Sequence, residues 1–479
     1  MGSIGSTEWN AEGLAAMGTF MKAQKLKAPG MKKTESAFNR NLEEALDVRR
    51  ADHGFYAQLM PPWRSGACAD FSSNDLLSLG TTGLMRKAFL DELARHPDFN
   101  LYAGGSRLTG GNYPYIEQVE QEIADFHGAE KALLVASGYE ANIAIFSSIP
   151  RPGDAIIYDE LVHASTHDGM AQSHALCKKA FRHNDIDSFQ DTIADILNSE
   201  PMIANGSRSI IFAVESVYSM DGDVCPIQEL LEIAKEEMPG SNFAFVLDEA
   251  HATGIIGPMG GGLAQSLGIE KDIAVRLHTY GKAMASTGAA ILGNSTVRAM
   301  IQNFARSVIF TTAPSFLATA STRAAYNLMK DGTQQKMLDK IQENVKYFFR
   351  TITSDPVWHE AVAMGILSIP LSDGWEQRAH FVHMVPVWSR QRYTYWLSFH
   401  LNLSGISAYP IDYPTVPKGQ SRIRLVFHSA NTKGEVDRLV QSICSFAAEM
   451  MEIEKGHAAE QAPRSAQYVY SLLAANATG

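Results

Sequence analysis

Five short apolar runs constrain the fold of this chain more than any other feature of its sequence. The runs show no alternation of polar and apolar positions, and segments with helical spacing separate them. Continuous apolar strands suit a sheet that helices cover on both faces, which is typical of parallel sheets. We therefore predict a mostly parallel α/β domain. The predicted strands span residues 132–136, 155–158, 209–214, 243–247 and 273–277.

The length and the change of pattern along the chain predict more than one domain. A chain of 479 residues exceeds what a single small core accommodates. We predict an N-terminal arm at 1–70 and a large sheet domain at 71–325. Long helical stretches and short strands then predict a smaller α+β domain at 326–455, and an Ala-rich, polar end predicts a flexible tail at 456–479.

The composition argues against several classes of protein. The formal net charge is −11 and no basic patch dominates, so we expect no nucleic-acid partner. The cysteines Cys68, Cys177, Cys225 and Cys444 are far apart, which signals neither a disulfide framework nor a metal site. No apolar run reaches the roughly 18 residues that span a bilayer, so we expect no stable membrane insertion and a cytoplasmic location. Gly2 fits a myristoylation pattern, but we interpret residues 1–6 as a flexible start.

Lys282 is the first candidate catalytic residue. It follows the apolar strand at 273–277, and small residues around it leave room for a bulky group beside its amine. A sheltered lysine can lose its proton and form a Schiff base with an aldehyde. Upstream, Asp248 ends the strand at 243–247, where it could pair with a ring nitrogen. Pyridoxal 5′-phosphate (PLP) requires such a lysine and such a carboxylate, although a surface lysine and a helix-capping aspartate are the alternatives.

Further candidates follow the ends of other predicted strands, where an open α/β sheet binds its ligands. Gly138 and Tyr139 begin a helix whose backbone amides could bind a phosphate, and Thr279 could add a hydroxyl donor. His163 could stack on the face of the cofactor, and His251 could reach its phenolic oxygen. Ordinary turn and surface roles stay open at these positions.

Arg424 is a candidate for substrate binding near the C-terminus. It lies in an alternating strand and shares one face with Arg422. A guanidinium group that bonds through two nitrogens suits the carboxylate of a substrate. A salt bridge on an edge strand is the alternative.

Nine motifs occur together in the order of a known family. The chain resembles the α-oxoamine synthases, PLP enzymes of the aspartate aminotransferase fold (fold type I), over roughly residues 70 to 445. The motifs are FSSND (71–75), GGSRL (104–108), SGYEAN (137–142), DELVHAS (159–165), HND (183–185), SMDGD (219–223), DEAHATG (248–254), TYGK (279–282) and PTVPKGQSRIR (414–424).

The resemblance implies a role for each candidate residue. Lys282 would hold the cofactor and move the proton at the substrate's α-carbon. The family forms homodimers with shared sites, so Thr311 or Thr312 would reach the phosphate of the partner chain. The implied catalytic residues are Lys282, His163, Asp248 and His251; Ser219, Gly138, Tyr139, Thr279, Thr311 and Thr312 would also bind the cofactor; and Arg424 and Asn74 would bind the substrate.

The implied reaction is a decarboxylative condensation of a small amino acid with an acyl thioester, giving an α-amino ketone, carbon dioxide and a free thiol. The sequence around Lys282 is most similar to that of 8-amino-7-oxononanoate synthases, which join L-alanine to a pimeloyl thioester. A polyketide-linked synthase of secondary metabolism and a serine palmitoyltransferase-like enzyme are alternatives. From other classes, an aminotransferase or an inactive partner subunit is the alternative.

The sequence also departs from the family pattern in two places. Tyr113 and Ile116 stand where many relatives have histidines, and the segment 283–286 replaces a commonly glycine-rich run. We expect both departures to border the channel for the acyl substrate.

Overall fold

The chain divides into two compact units. A computed structural model describes residues 9–32, 34–55, 62–378, 381–456 and 461–475, so Gly2 and the predicted flexible start lie outside the described residues. Unit 1 combines Met1–Ser73 with Gln342–Gly479, and unit 2 is Asn74–Ile341. The predicted boundary at 325 falls inside a helix of unit 2, because the change of sequence pattern marks the beginning of long helices and not the end of the unit.

Eighteen α-helices occur in the described residues. They are α1 (Ala11–Ala23), α2 (Ala37–Ala51), α3 (Leu84–Ala94), α4 (Pro114–Phe126), α5 (Gly138–Ser148), α6 (Ala164–Ala171), α7 (Ile186–Ser199), α8 (Pro201–Ala204), α9 (Ile227–Glu237), α10 (Leu263–Leu267), α11 (Ser295–Phe304), α12 (Arg306–Ile309), α13 (Phe316–Lys330), α14 (Thr333–Ile352), α15 (Pro356–Ala363), α16 (Gln391–Leu403), α17 (Lys433–Lys455) and α18 (Arg464–Ala475).

Thirteen strands accompany these helices in the same residues. They are β1 (Ala69–Asp70), β2 (Lys131–Val135), β3 (Ala155–Asp159), β4 (Cys177–Phe181), β5 (Ile210–Glu215), β6 (Phe243–Asp248), β7 (Val275–Thr279), β8 (Ala289–Gly293), β9 (Leu367–Ser368), β10 (Met384–Ser389), β11 (Ile406–Ser407), β12 (Pro410–Ile411) and β13 (Arg422–Val426).

A seven-stranded sheet forms the centre of unit 2, in the order β2-β8-β7-β6-β5-β3-β4. Only β8 runs against its neighbours, so β2, β3, β5, β6 and β7 all end at the same edge of the sheet. The central strands are buried on both faces, and α5, α11 and α12 contribute to the apolar core on one side. The prediction of a mostly parallel α/β sheet is confirmed.

Two strands of this sheet were not predicted from the sequence. β4 is the edge strand, and its solvent-facing lysines Lys178 and Lys179 interrupt the apolar run that marks the inner strands. Charged residues on an edge strand oppose pairing with another chain. β8 is rich in alanine and follows the Lys282 turn so closely that the sequence pattern does not separate the two.

Unit 1 holds a four-stranded antiparallel sheet, in the order β12-β13-β10-β9, and the parallel pair β1-β11. In the predicted arm, α1 packs on α16 through Phe20, whose ring centre lies 6.3 Å from that of Phe399. The arm is thus part of the core of unit 1.

Helix α18 occupies half of the predicted flexible tail. Ala466 and Val469 are fully buried, and the Tyr470 ring meets Phe399 at 6.0 Å. The alanine-rich sequence hides an apolar face that recurs with helical spacing. Across the described residues, none of the helices combines the length and the apolar character that crossing a membrane requires.

Candidate active site

A cavity of about 290 Å³ opens in unit 2 where the parallel strands end. The ends of β6 and β7 and the beginning of α5 supply much of its wall. This is the position at which open α/β sheets bind ligands. The sequence-predicted residues that line the cavity are Asn74, Gly138, Tyr139, His163, Ser219, Asp248, His251, Thr279 and Lys282.

Lys282 lies in the turn that joins β7 to β8. Backbone hydrogen bonds close this turn, from Tyr280 N to Gly288 O at 3.0 Å and from Ser286 N to Tyr280 O at 2.9 Å. The Tyr280 ring is fully buried, and its hydroxyl lies 3.2 Å from that of Tyr326. The fixed turn therefore presents a half-buried lysine to the cavity.

Asp248 ends β6 with both carboxylate oxygens held by fixed donors. Asn142 Nδ2 donates to Oδ2 at 2.8 Å, and the Ala250 amide donates to Oδ1 at 2.9 Å. Neighbours of this kind fix the orientation of a functional carboxylate. The sequence analysis did not assign a role to Asn142, although its position one helical turn after Gly138 could have indicated that it faces the same site.

Glu215 is a second site residue that the sequence analysis missed. It ends β5 directly beside Asp248 on β6, and its buried carboxylate accepts a hydrogen bond from His163 N at 2.5 Å. Burial, reinforced by repulsion from Asp248, raises the pKa of Glu215 well above its usual value. An acidic residue that ends an apolar strand is the signal that identified Asp248, and it was equally present here.

His163 caps α6 and faces the cavity. Its Nδ1 accepts from Ser165 N at 3.2 Å and lies 2.7 Å from Ser165 Oγ. Burial lowers the pKa of His163; Asp248 opposes this shift and Lys282 adds to it. A neutral imidazole ring is the result at neutral pH.

The beginning of α5 forms the polar end of the cavity. A Cβ atom added to Gly138 would lie 2.5 Å from Thr279 Cγ2, so only glycine leaves room at this position. Ser137 caps the helix by accepting from Glu140 N at 3.1 Å. Backbone amides at a helix start bind anions, and the Thr279 hydroxyl lies in the same wall. With an amine and a carboxylate across the cavity, these groups match those that PLP needs.

His183 anchors the turn that carries Ser219. Its Nδ1 lies 2.9 Å from Asp159 Oδ1, and its Nε2 lies 2.5 Å from Asp223 Oδ2. Burial alone would lower the pKa of His183, but hydrogen bonds and charges from both aspartates raise it to about 10. The protonated ring thus ties the end of β3 to the turn.

Three predicted residues lie elsewhere. Thr311 and Thr312 are exposed after α12 and are absent from the described residues that line the cavity. Arg424 belongs to unit 1, on β13 opposite Pro386, where burial lowers its pKa. Its role towards a substrate stays a prediction.

Comparison with known proteins gives consistent matches. The chain matches the family described as aminotransferase class I and II over residues 67–443. It is 56% identical to Aminoacyl transferase sphA of Aspergillus fumigatus, covering 98% of this chain and 99% of that protein. It is 42% identical to 8-amino-7-oxononanoate synthase of Emericella nidulans, covering 80% and 90%.

A solved structure shares the fold. Serine palmitoyltransferase from S. paucimobilis with bound PLP superposes with a TM-score of 0.67 at 19% identity, covering 86% of this chain and 99% of that one. The family match and the two relatives confirm the resemblance seen in the sequence. The chain belongs to the class I and II aminotransferase family of PLP-dependent enzymes and, within it, to the α-oxoamine synthases.

Proposed function

We propose that this enzyme joins a small amino acid to an acyl thioester of specialised metabolism, and that it is not the biotin-pathway synthase. The observation that carries the proposal is its 56% identity to an aminoacyl transferase over almost the whole of both chains. The match to 8-amino-7-oxononanoate synthase is weaker and shorter, at 42% over 80% of the chain. The cavity lined by Lys282, Asp248 and His163 supports the same class of chemistry.

In the proposed reaction, Lys282 Nζ removes the proton from the α-carbon of the amino acid. That carbon forms a bond to the thioester carbonyl carbon, the carbon–sulfur bond breaks, and the thiolate leaves with the electron pair and takes a proton from water. The bond to the carboxylate then breaks to release carbon dioxide, and Lys282 returns a proton to the same carbon. Bound PLP supplies an electron sink for the pair left on the α-carbon. Lysine suits this task because its neutral amine accepts a proton and its ammonium form returns one.

Each remaining site residue has a proposed position towards the cofactor or the substrate. Asp248, held by Asn142 and Ala250, would pair with the ring nitrogen and keep it protonated. The neutral His163 ring would lie against the face of the cofactor. Ser219 and His251 would serve the ring oxygen, Gly138, Tyr139 and Thr279 the phosphate, and Asn74 the amino acid. From the family motif alone, Arg424 would bind the amino-acid carboxylate.

Spectroscopy and a product assay test the proposal together. Purified enzyme with PLP should show a visible absorbance band that borohydride bleaches, and Lys282→Ala should keep affinity for PLP but lose the borohydride-sensitive band and condensation. A matrix of small amino acids against acyl-CoA thioesters should release thiol and carbon dioxide. L-Alanine with pimeloyl-CoA should be a poor pair; if it is the best pair, the biotin assignment replaces ours. A keto acid formed without thiol release would identify an aminotransferase.

We also propose a homodimer with shared sites. Leu101, Tyr102, Leu108, Phe304 and Phe310 are 40% to 72% exposed. Their segments adjoin, because Gln302 Nε2 donates to Arg107 O at 3.2 Å and Ala313 N donates to Gly105 O at 2.9 Å. An exposed apolar patch of this kind is typical of a protein interface, and Thr311 and Thr312 lie at its border.

A further inference from the structure

We infer that the acyl chain of the thioester enters an apolar side pocket of the active-site cavity, and that Tyr113 limits its length. This inference rests on the proposed function and adds a substrate class to it. The side pocket, of about 130 Å³, lies between the end of β2 and the beginning of α13.

The side pocket is continuous with the active-site cavity. Ala136, Thr287 and Gly288 line both spaces. Gly288 has a φ of 89°, and a Cβ atom there would lie 3.0 Å from Val135 O. The absence of a side chain at this position therefore keeps the junction open.

The wall of the side pocket suits an uncharged chain. Leu134, Val135, Pro314 and Ala318 supply apolar surface, and none of the described lining residues carries a charge. Moving hydrocarbon from water into such a space lowers its free energy. A terminal carboxylate would be buried there without a partner, which costs free energy. A saturated acyl chain is thus favoured over the pimeloyl chain, which ends in a carboxylate.

Tyr113 lies behind the wall of the side pocket and bonds to two residues of that wall. Its hydroxyl donates to Pro314 O at 2.9 Å and lies 2.8 Å from Thr319 Oγ1, and both partners line the side pocket. Tyr113 also lines a separate aromatic groove of about 600 Å³, together with Tyr102 and Phe316. Tyr113 therefore links the wall of the side pocket to that of a larger space, which could hold a longer chain.

Two substitutions and a control test the inference. Ala318→Leu should fill the side pocket, and Tyr113→Ala should join it to the aromatic groove. The control is Leu317→Phe, which adds similar bulk at the preceding position of α13. Leu317 does not line the side pocket. Each holoenzyme is assayed with saturated acyl-CoA thioesters from butanoyl to palmitoyl and with pimeloyl-CoA. Thiol release gives kcat/KM, and calorimetry without amino acid gives acyl-CoA affinity.

We expect Ala318→Leu to lose about tenfold or more in kcat/KM and affinity for the longest chain that the native enzyme accepts. Tyr113→Ala should shift the preference towards longer chains, and Leu317→Phe should keep the native profile. The KM for the amino acid and the PLP absorbance should not change. If Ala318→Leu does not fold, the chain-length profile of Tyr113→Ala alone tests the inference.

Unchanged chain-length profiles in both variants would overturn the inference while leaving the proposed reaction intact. Absence of thiol release from every thioester would instead contradict the proposed reaction. In that case the chain-length dependence of acyl-CoA affinity still decides whether the side pocket binds the chain.

Discussion

Two carboxylates at neighbouring strand ends have different surroundings although they face one cavity. Asp248 accepts hydrogen bonds from Asn142 and Ala250, whereas Glu215 is buried and accepts a bond from the His163 amide. Burial and the neighbouring Asp248 carboxylate both disfavour a charge on Glu215, and they raise its pKa.

Glu215→Gln should therefore change the pH dependence of stability. The folded-state pKa of Glu215 lies above the ordinary value of 4.5, so its stabilising contribution is complete below that value and is lost as pH rises through the raised pKa. Glutamine stays neutral throughout. In urea unfolding of the PLP-free protein, the variant should gain stability relative to the native chain as pH rises from 4.5 towards the raised pKa.

The matched control is Glu232→Gln on the exposed face of α9, which should show no such trend. A difference between Glu215→Gln and the native chain that stays constant with pH would show that Glu215 is already charged.

Sequence reasoning identified Lys282, Asp248 and His163 because each follows a recognisable strand end. Asn142 and Glu215 also carried sequence signals, but their contacts with Asp248 depend on how α5 and β5 pack beside β6. Such pairs depend on strand order, which local sequence patterns do not encode. Family motifs supplied roles for all of the sequence-predicted site residues, Lys282, Asp248 and His163 included, and these roles stay predictions.

At the scale of elements, the first turn of α5 has no room for a side chain at Gly138. Gly138→Val should weaken PLP binding by about tenfold or more, because its side chain would collide with Thr279 and push α5 away from the cavity. Fluorescence titration with PLP measures the affinity. Gly434→Ala on α17, where a Cβ meets nothing within 4 Å, should bind PLP like the native chain. Native affinity in Gly138→Val would place the phosphate elsewhere.

The hydrogen bonds of His183, which link the end of β3 to the turn that carries Ser219, should weaken at alkaline pH. His183 has a folded-state pKa of about 10 against an ordinary 6.5, so its stabilisation is complete below 6.5 and is lost as pH rises through about 10. His183→Gln removes the charge. The free energy of unfolding should therefore differ most between the native chain and the variant near neutral pH, and the two should converge above pH 10. Denaturant melts across this range measure the difference, and parallel curves would contradict the assignment.

The inner strands were predictable because burial on both faces leaves an uninterrupted apolar run. The edge strand β4 was not predictable in this way, because its lysines interrupt the apolar run. Helix α18 was not predicted for another reason. Its apolar face, which includes Ala466 and Val469, is built of small and β-branched residues and becomes apparent only against α16.

At the scale of the whole molecule, the proposed homodimer makes each site depend on two chains. Mixing Lys282→Ala with a Thr311→Ala/Thr312→Ala double variant should restore condensation, because one site of the mixed dimer receives both the native lysine and the native threonines. Activity is compared before and after joint refolding of two inactive variants. Each variant refolded alone serves as the control, and no recovery despite mixed dimers would remove the threonines from the shared site.

Helices α1 and α18 lie side by side, and both pack on α16. Phe20 and Tyr470 meet the same ring, that of Phe399, so the first and last helices share one anchor. Covalent order along the chain is therefore only loosely coupled to the architecture of unit 1. Loss of either helix should therefore leave the part of α16 that carries Phe399 partly uncovered.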